Sequence, residues 1–131
     1  MLFDTSYTDK RITRQINEVV GKPYGWKNRW KMGGIGSRRM VIQNISESYQ
    51  KYLNADHYIS NANIELRPKG IIIHFRHKLQ SYSWIMPYND LAIEYDDTII
   101  LKSNREFVSF AKDLDTAFIT KMIAQFDAYQ Q

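Results

Sequence analysis

The chain has 131 residues, no cysteine and a formal charge of +4, with 44% hydrophobic and 24% charged residues. That is enough chain for one domain with its own core. It excludes disulfides and thiolate metal sites, and no apolar run approaches the roughly 20 residues of a membrane-spanning helix. The charge is concentrated in one place: residues 1–20 are neutral, residues 40–131 hold nine bases and eleven acids, and residues 21–39 hold six bases with no acid. The start, Met1-Leu2-Phe3-Asp4, lacks the basic and apolar regions of a secretory signal, so a cytoplasmic location is expected.

Thr5 to Val20 is expected to be a helix, with Ser6 or Thr8 as N-cap and Asp9 in the first turn. Ile12, Ile16 and Val19 or Val20 form a narrow apolar stripe that needs a docking surface, and Gly21 and Pro23 stop the helix. The outer face of a sheet or a partner chain would serve. Gly21 to Gly36 (GKPYGWKNRWKMGGIG) shows no sustained period, and its glycines and proline predict a loop or hairpin. In a strand there, the even separation of Trp26 and Trp30 gives them one face, and Lys27, Arg29 and Lys31 take the opposite one. Arg38 to Gln43 reads as a strand, Ile45 to Leu53 as a short helix, and Asn54 to Ser60 as a polar connection.

Asn61 to Ala111 is dominated by period two, the signature of antiparallel strands. Ala62, Ile64 and Leu66 share a face, as do Ile71, Ile73 and Phe75, then Tyr82, Trp84 and Met86, then Leu91, Ile93 and Tyr95. Arg67-Pro68-Lys69-Gly70, Asp96-Asp97 and Ser103-Asn104 carry turn chemistry between the runs, and Ile99–Leu101 and Glu106–Phe110 complete the series. Asp113 to Tyr129 is the clearest helix, with Asp113 or Asp115 as cap. Leu114, Phe118, Met122 and Phe126 recur at i+4, and Ile119, Ile123 and Tyr129 widen the stripe.

The expected fold is therefore α+β, mainly β: a bent antiparallel sheet or partly open barrel of six to seven strands, with an N-terminal helix and a C-terminal amphipathic helix over the open end. The chain is read as a single domain over 1–131, with the basic Gly/Trp-containing segment and connection at 21–60 and the meander plus helix at 61–131. The competing architecture is cystatin-like or NTF2-like, with the 5–20 helix cradled by the sheet.

From Ser83 onward, WIMPYNDLAIEY, an acidic turn, TIILKS, REFVSFA and the helix opening DLDTAFITKMIAQF resemble bacterial pleckstrin-homology-like domains of the pleckstrin/GRAM superfold. The resemblance covers the C-terminal half. It implies seven strands, with the last helix plugging one corner of a bent sheet. Lipid-binding members of that family hold phosphorylated headgroups with basic residues on an early hairpin. By that resemblance Lys69, Arg76 and Lys78 form a weaker candidate set, against the simpler reading of a solvated strand face.

The stronger candidate is the basic, aromatic segment itself: Lys22, Trp26, Lys27, Arg29, Trp30, Lys31, Arg38 and Arg39. Interleaved bases and rings suit phosphate contact with stacking or interfacial anchoring. The simpler reading is a hairpin whose tryptophans pack on the core. Gly33-Gly34-Ile35-Gly36-Ser37 lacks the flanking strand and helix of a nucleotide-binding fingerprint. His74 and His77, three apart on a strand, fall on opposite faces, and His57 diverges from the adjacent Asp56, so no metal site is expected. No G-x-S-x-G or comparable nucleophile context is present, and no cofactor fingerprint. The expected function is a binding or scaffolding module, not an enzyme, acting through protein–protein contact or self-association. The alternative is binding of anionic lipid or nucleic acid through 22–39.

Overall fold

A computed structural model describes residues 1–53 and 60–131. The polar connection, with His57 and Asp56, therefore lies outside the described residues apart from Ser60. Eight strands form one antiparallel sheet that does not close: β1 (Leu2–Asp4), β2 (Met40–Ile45), β3 (Asn61–Arg67), β4 (Gly70–His77), β5 (Gln80–Pro87), β6 (Leu91–Tyr95), β7 (Ile99–Ser103) and β8 (Glu106–Phe110). Their order is β1-β5-β4-β3-β2-β8-β7-β6. Strand β2 belongs to both halves. Met40 and Val41 pair with β3, Ile42 to Ile45 pair with β8, and the register shifts between Ile42 and Asn44. Such a bulge bends a strand, and here it lets the two halves share one hydrophobic core.

The alternation read from the sequence sets which face is buried. Ile64, Leu66, Ile71, Ile73, Trp84 and Met86 from one half meet Leu91, Ile99, Leu101, Val108 and Phe110 from the other. The helix α3 (Thr116–Gln130) lies against this face with Phe118, Ile119 and Met122 buried. Each of these large side chains contributes about 1.5–3 kcal/mol on burial. Asp115 is the N-cap, accepting from the Phe118 amide at 3.2 Å, while Asp113 turns the chain just before it at φ 52°. The C-terminal helix is thus the one packed on the main core, and the N-terminal helix, which the cystatin-like or NTF2-like alternative would cradle, packs on a separate cluster.

The N-terminal helix α1 (Lys10–Val20) starts later than expected, because Asp9 and not Ser6 or Thr8 is the cap, accepting from the Arg11 amide at 2.8 Å. Ahead of it, Leu2–Asp4 is an edge strand beyond the six to seven expected, paired with Tyr82–Trp84. Three residues are too few to show a period. The Ile16/Val20 stripe docks on Ile72 and Ile85, the outward-facing residues of β4 and β5, with Phe3, Ile12 and Val19 around them. The outer face of the sheet is its partner.

The strand expected at Arg38–Gln43 runs two residues later, so Ile45 belongs to β2 and is buried there. The expected helix at 45–53 is a 3₁₀ helix over Glu47–Tyr52. It sets Tyr49 edge-on to Trp84 at 4.6 Å between ring centroids and Tyr52 against Tyr82 at 4.8 Å. These rings extend the core at its other corner.

Candidate functional site

The basic segment is not a hairpin. Trp26–Lys31 forms the short helix α2, with Gly25 as N-cap and Met32 as C-cap. Six residues are too few to display a helical period, and a separation of four gives two side chains one face in either a strand or a helix. The tryptophan spacing alone could not choose. Gly33 and Gly34, at φ 73° and 97°, end the helix with conformations that other residues adopt at a cost.

Nothing in α2 is buried. Trp26 is 77% exposed and Trp30 84% exposed, so neither packs on the core. Its flanks hold it instead. Tyr24 before it, and Met32 and Ile35 after it, pack against the main core. The Ile35 carbonyl accepts from the Leu66 amide at 2.7 Å, and the Ser37 amide donates to the Ile64 carbonyl at 2.8 Å. From α3, Lys121 Nζ donates to the carbonyls of Gly33 and Gly34 at 3.2 and 3.0 Å. Arg29 Nε donates to the Tyr24 carbonyl at 3.1 Å, closing the turn that enters the helix.

Helical geometry changes the relation of rings to charges. At about 100° per residue, Trp26 and Trp30 form one stripe, Lys27 and Lys31 flank it on one side, and Arg29 flanks it on the other. A strand would have set the bases on the far side. Lys27 Nζ lies 5.9 Å from the Trp26 ring centroid, within cation–π reach. Trp26, Arg29, Trp30, Gly33 and Gly34 line a shallow open groove.

The eight residues of the stronger candidate set do not form one site. Lys22 is exposed just ahead of α2. Arg38 is committed to α3: its guanidinium donates to the carbonyls of Asp113 and Leu114 at 3.1 and 3.0 Å, and its amide donates to Asp115 Oδ2. Arg39 turns to the outer face of the sheet and lines a different cavity, together with Arg76. The weaker set also separates. Lys69 sits in the β3–β4 turn with Nζ donating to the Glu18 carbonyl at 3.1 Å, whereas Lys78 sits in the β4–β5 turn at φ 58°. Those turns are at opposite ends of β4, roughly 25 Å apart at a strand's rise per residue.

The structure also assembles a polar chain that the sequence did not disclose. Glu65 Oε1 lies 2.8 Å from His74 Nε2, and His74 Nδ1 lies 3.0 Å from Ser83 Oγ, which lies 3.1 Å from Thr5 Oγ1. The other carboxylate oxygen of Glu65 accepts from Arg67 Nε. Arg67 itself is buried and donates to Asn17 Oδ1 and the Gly21 carbonyl, tying the end of α1 to the sheet. Burial acts to raise the Glu65 pKa, but the bonds and charges of His74 and Arg67 outweigh it and hold the carboxyl below its ordinary range. Strand register makes this chain: His74 is opposite Asn63 on β3 and opposite Ser83 on β5. It has the order of a carboxylate–imidazole–hydroxyl relay, but Ser83 is 2% exposed, so its oxygen is enclosed. His74 and His77 do take opposite faces, and His77 meets the Tyr52 ring on the core side. Among the described residues, no helix is long and apolar enough to cross a membrane.

Comparison with protein-family models, with curated proteins and with solved structures gives no match to this chain.

Proposed function

We propose that this chain is a non-catalytic, cytoplasmic binding or scaffolding module of pleckstrin-homology-like type, which docks a protein partner through α2. One observation carries the reading: two tryptophans stand in water one helical turn apart, on a segment with six bases and no acid. Burying an indole is among the largest apolar gains a side chain offers, and Trp and Arg dominate the energetics of protein interfaces. Anchors on both sides of α2 hold the pair in place before binding, which lowers the ordering cost of association. The run β5-β4-β3-β2-β8-β7-β6, with α3 inside its bend, supports the pleckstrin-homology-like part of the proposal. The enclosed Ser83 hydroxyl supports the non-catalytic part.

A second reading, docking on anionic lipid or nucleic acid, is favoured by the lysines and arginine that flank the tryptophan stripe. A photo-crosslinking residue at position 26 or 30 tests the first. Discrete protein adducts in cells are expected from these positions and not from position 105 in the β7–β8 turn. The second reading predicts a salt-sensitive blue shift of tryptophan fluorescence on anionic vesicles or oligonucleotides, lost in Lys27/Arg29/Lys31→Ala. That result without adducts would replace the protein partner by an anionic surface. The variant Trp26/Trp30→Ala should abolish either contact while leaving the thermal midpoint unchanged, since neither ring is packed.

A further inference from the structure

The outer face of the sheet holds a second feature, remote in character from α2. Helix α1 has 11 residues and covers about 16 Å, whereas the eight-residue strand β4 beneath it runs about 26 Å. Since α1 ends at the β3–β4 turn, where the Val20 carbonyl accepts from the Lys69 amide, the far end of β3, β4 and β5 lies beyond its reach. A cavity of about 410 Å³ opens there.

We infer that this cavity is a binding site for a small phosphate-class anion, held by Arg39, Arg76, Asn61, Asn63 and Ser81, with His74, whose two ring nitrogens are already bonded to Glu65 and Ser83, forming part of the wall. Period two assembles it. Asn61 and Asn63 on β3, His74 and Arg76 on β4 and Ser81 on β5 all face outward. The pairs Asn63–His74 and Arg76–Ser81 stand directly opposite one another. Arg39 enters from the residue before β2.

The charge arrangement identifies the ligand class. Among the described residues, two guanidiniums line the cavity and no carboxylate does. Neither Arg39 nor Arg76 forms a side-chain hydrogen bond or ion pair with a described residue, whereas Arg29, Arg38 and Arg67 are all committed to partners. The one acid on this face of β3, Glu65, is already shared between Arg67 and His74. Two like charges facing one concavity are stabilised by a multiply charged anion. A phosphoryl group matches the planar forks of both arginines and leaves oxygens for the amide and hydroxyl donors beside them. The volume is in the range of small-ligand pockets, with room for a small organic group on the phosphate.

The source can be a free phosphate ester or a lipid headgroup, and the experiment has an arm for each. Inorganic phosphate and pyrophosphate are titrated into the full ¹⁵N-labelled chain at constant ionic strength, with chloride as the balancing ion. Saturable shifts are expected at the amides of Asn61, Asn63, Arg76 and Ser81. Arg39→Gln and Arg76→Gln should each weaken binding about tenfold, the loss of a charge-assisted pair, while Arg105→Gln and Lys27/Lys31→Ala leave it intact. Both arginines are exposed, so these variants keep the fold, which a thermal melt verifies. Co-sedimentation with phosphatidic acid vesicles that depends on Arg39 and Arg76 identifies a headgroup; saturable binding of free phosphate alone identifies a soluble ester. Absence of a saturable shift, an equal response to chloride, or binding that survives both arginine substitutions overturns the site. Because the readout ignores α2, its failure and that of the docking surface remain separate results.

Discussion

Replacing Gly70 by alanine places a methyl group where the structure has no room. A Cβ at that position would lie 2.5 Å from the Met86 carbonyl oxygen, 2.7 Å from Val20 Cγ1 and 2.8 Å from Pro87 Cα. Two of these atoms are backbone of the neighbouring strand, in register with Gly70, and cannot rotate away. Gly70 is not among the glycines with positive φ, so alanine meets no conformational penalty and the effect is steric alone. The closest contact falls almost an ångström short of ordinary separation, so β4 and β5 must part where α1 also rests on them. Overpacking of this kind costs about 2–3 kcal/mol. At roughly 2 cal/mol/K of unfolding entropy per residue, that lowers the melting temperature by roughly 7–11 °C. Urea unfolding and calorimetry of Gly70→Ala, with Gly36→Ala as reference, measure it. A Cβ at Gly36 meets only the Ile64 carbonyl at 3.9 Å and should be nearly neutral. Val20→Ala in the Gly70→Ala background should recover only part of the loss, since the backbone contacts remain. A Gly70→Ala protein as stable as the parent, or a Gly36→Ala protein equally weakened, would refute the reasoning.

Two further outcomes follow from the polar links. Glu65 has a folded pKa below its ordinary value of 4.5, so its contribution is complete above pH 4.5 and is lost as pH falls from there through the lower folded value. Glu65→Gln should therefore cost about 1–3 kcal/mol at pH 7, and its gap from the parent in urea midpoint should narrow below pH 4.5; a gap independent of pH would count against the linkage. Asp115 caps α3 and also accepts from the Arg38 amide at 3.0 Å. Asp115→Ala should cost about 1–2 kcal/mol and Asp115→Asn about half as much, because its amide retains one acceptor; equal losses in thermal melts would show that only one of the two bonds matters.

The meander was legible because burial on one face writes itself into the sequence at every second residue. Ala62, Ile64 and Leu66, and then Ile71, Ile73 and Phe75, are core residues as the alternation demands. The α3 stripe was legible for the same reason at helical period. What the sequence hid was structure without a buried face. Leu2–Asp4 is held by pairing with β5 and not by a periodic core, and α2 is held by residues outside itself. The docking of Ile16 and Val20 was half visible: the stripe announced a partner, but Ile72 and Ile85 are single apolar residues on the other side of their strands, and one residue per strand displays no period. Register-dependent features were out of reach altogether. Glu65, His74 and Ser83, or Arg39 and Arg76, become neighbours only once the strand order is known.

Strand β2 carries a topological consequence. Among the described residues it is the one strand paired with both halves of the sheet, through two residues on one side and three pairs of shifted register on the other. The meander β3-β4-β5 and the meander β6-β7-β8 can each form from contacts close in sequence, but joining them means closing β2 onto β8 across some 65 residues of chain. Local loops close at small entropic cost and distant ones only after their partners exist. The two meanders are therefore expected to form early in folding, and the seam between β2 and β8 to be the late step that commits the chain to its native form.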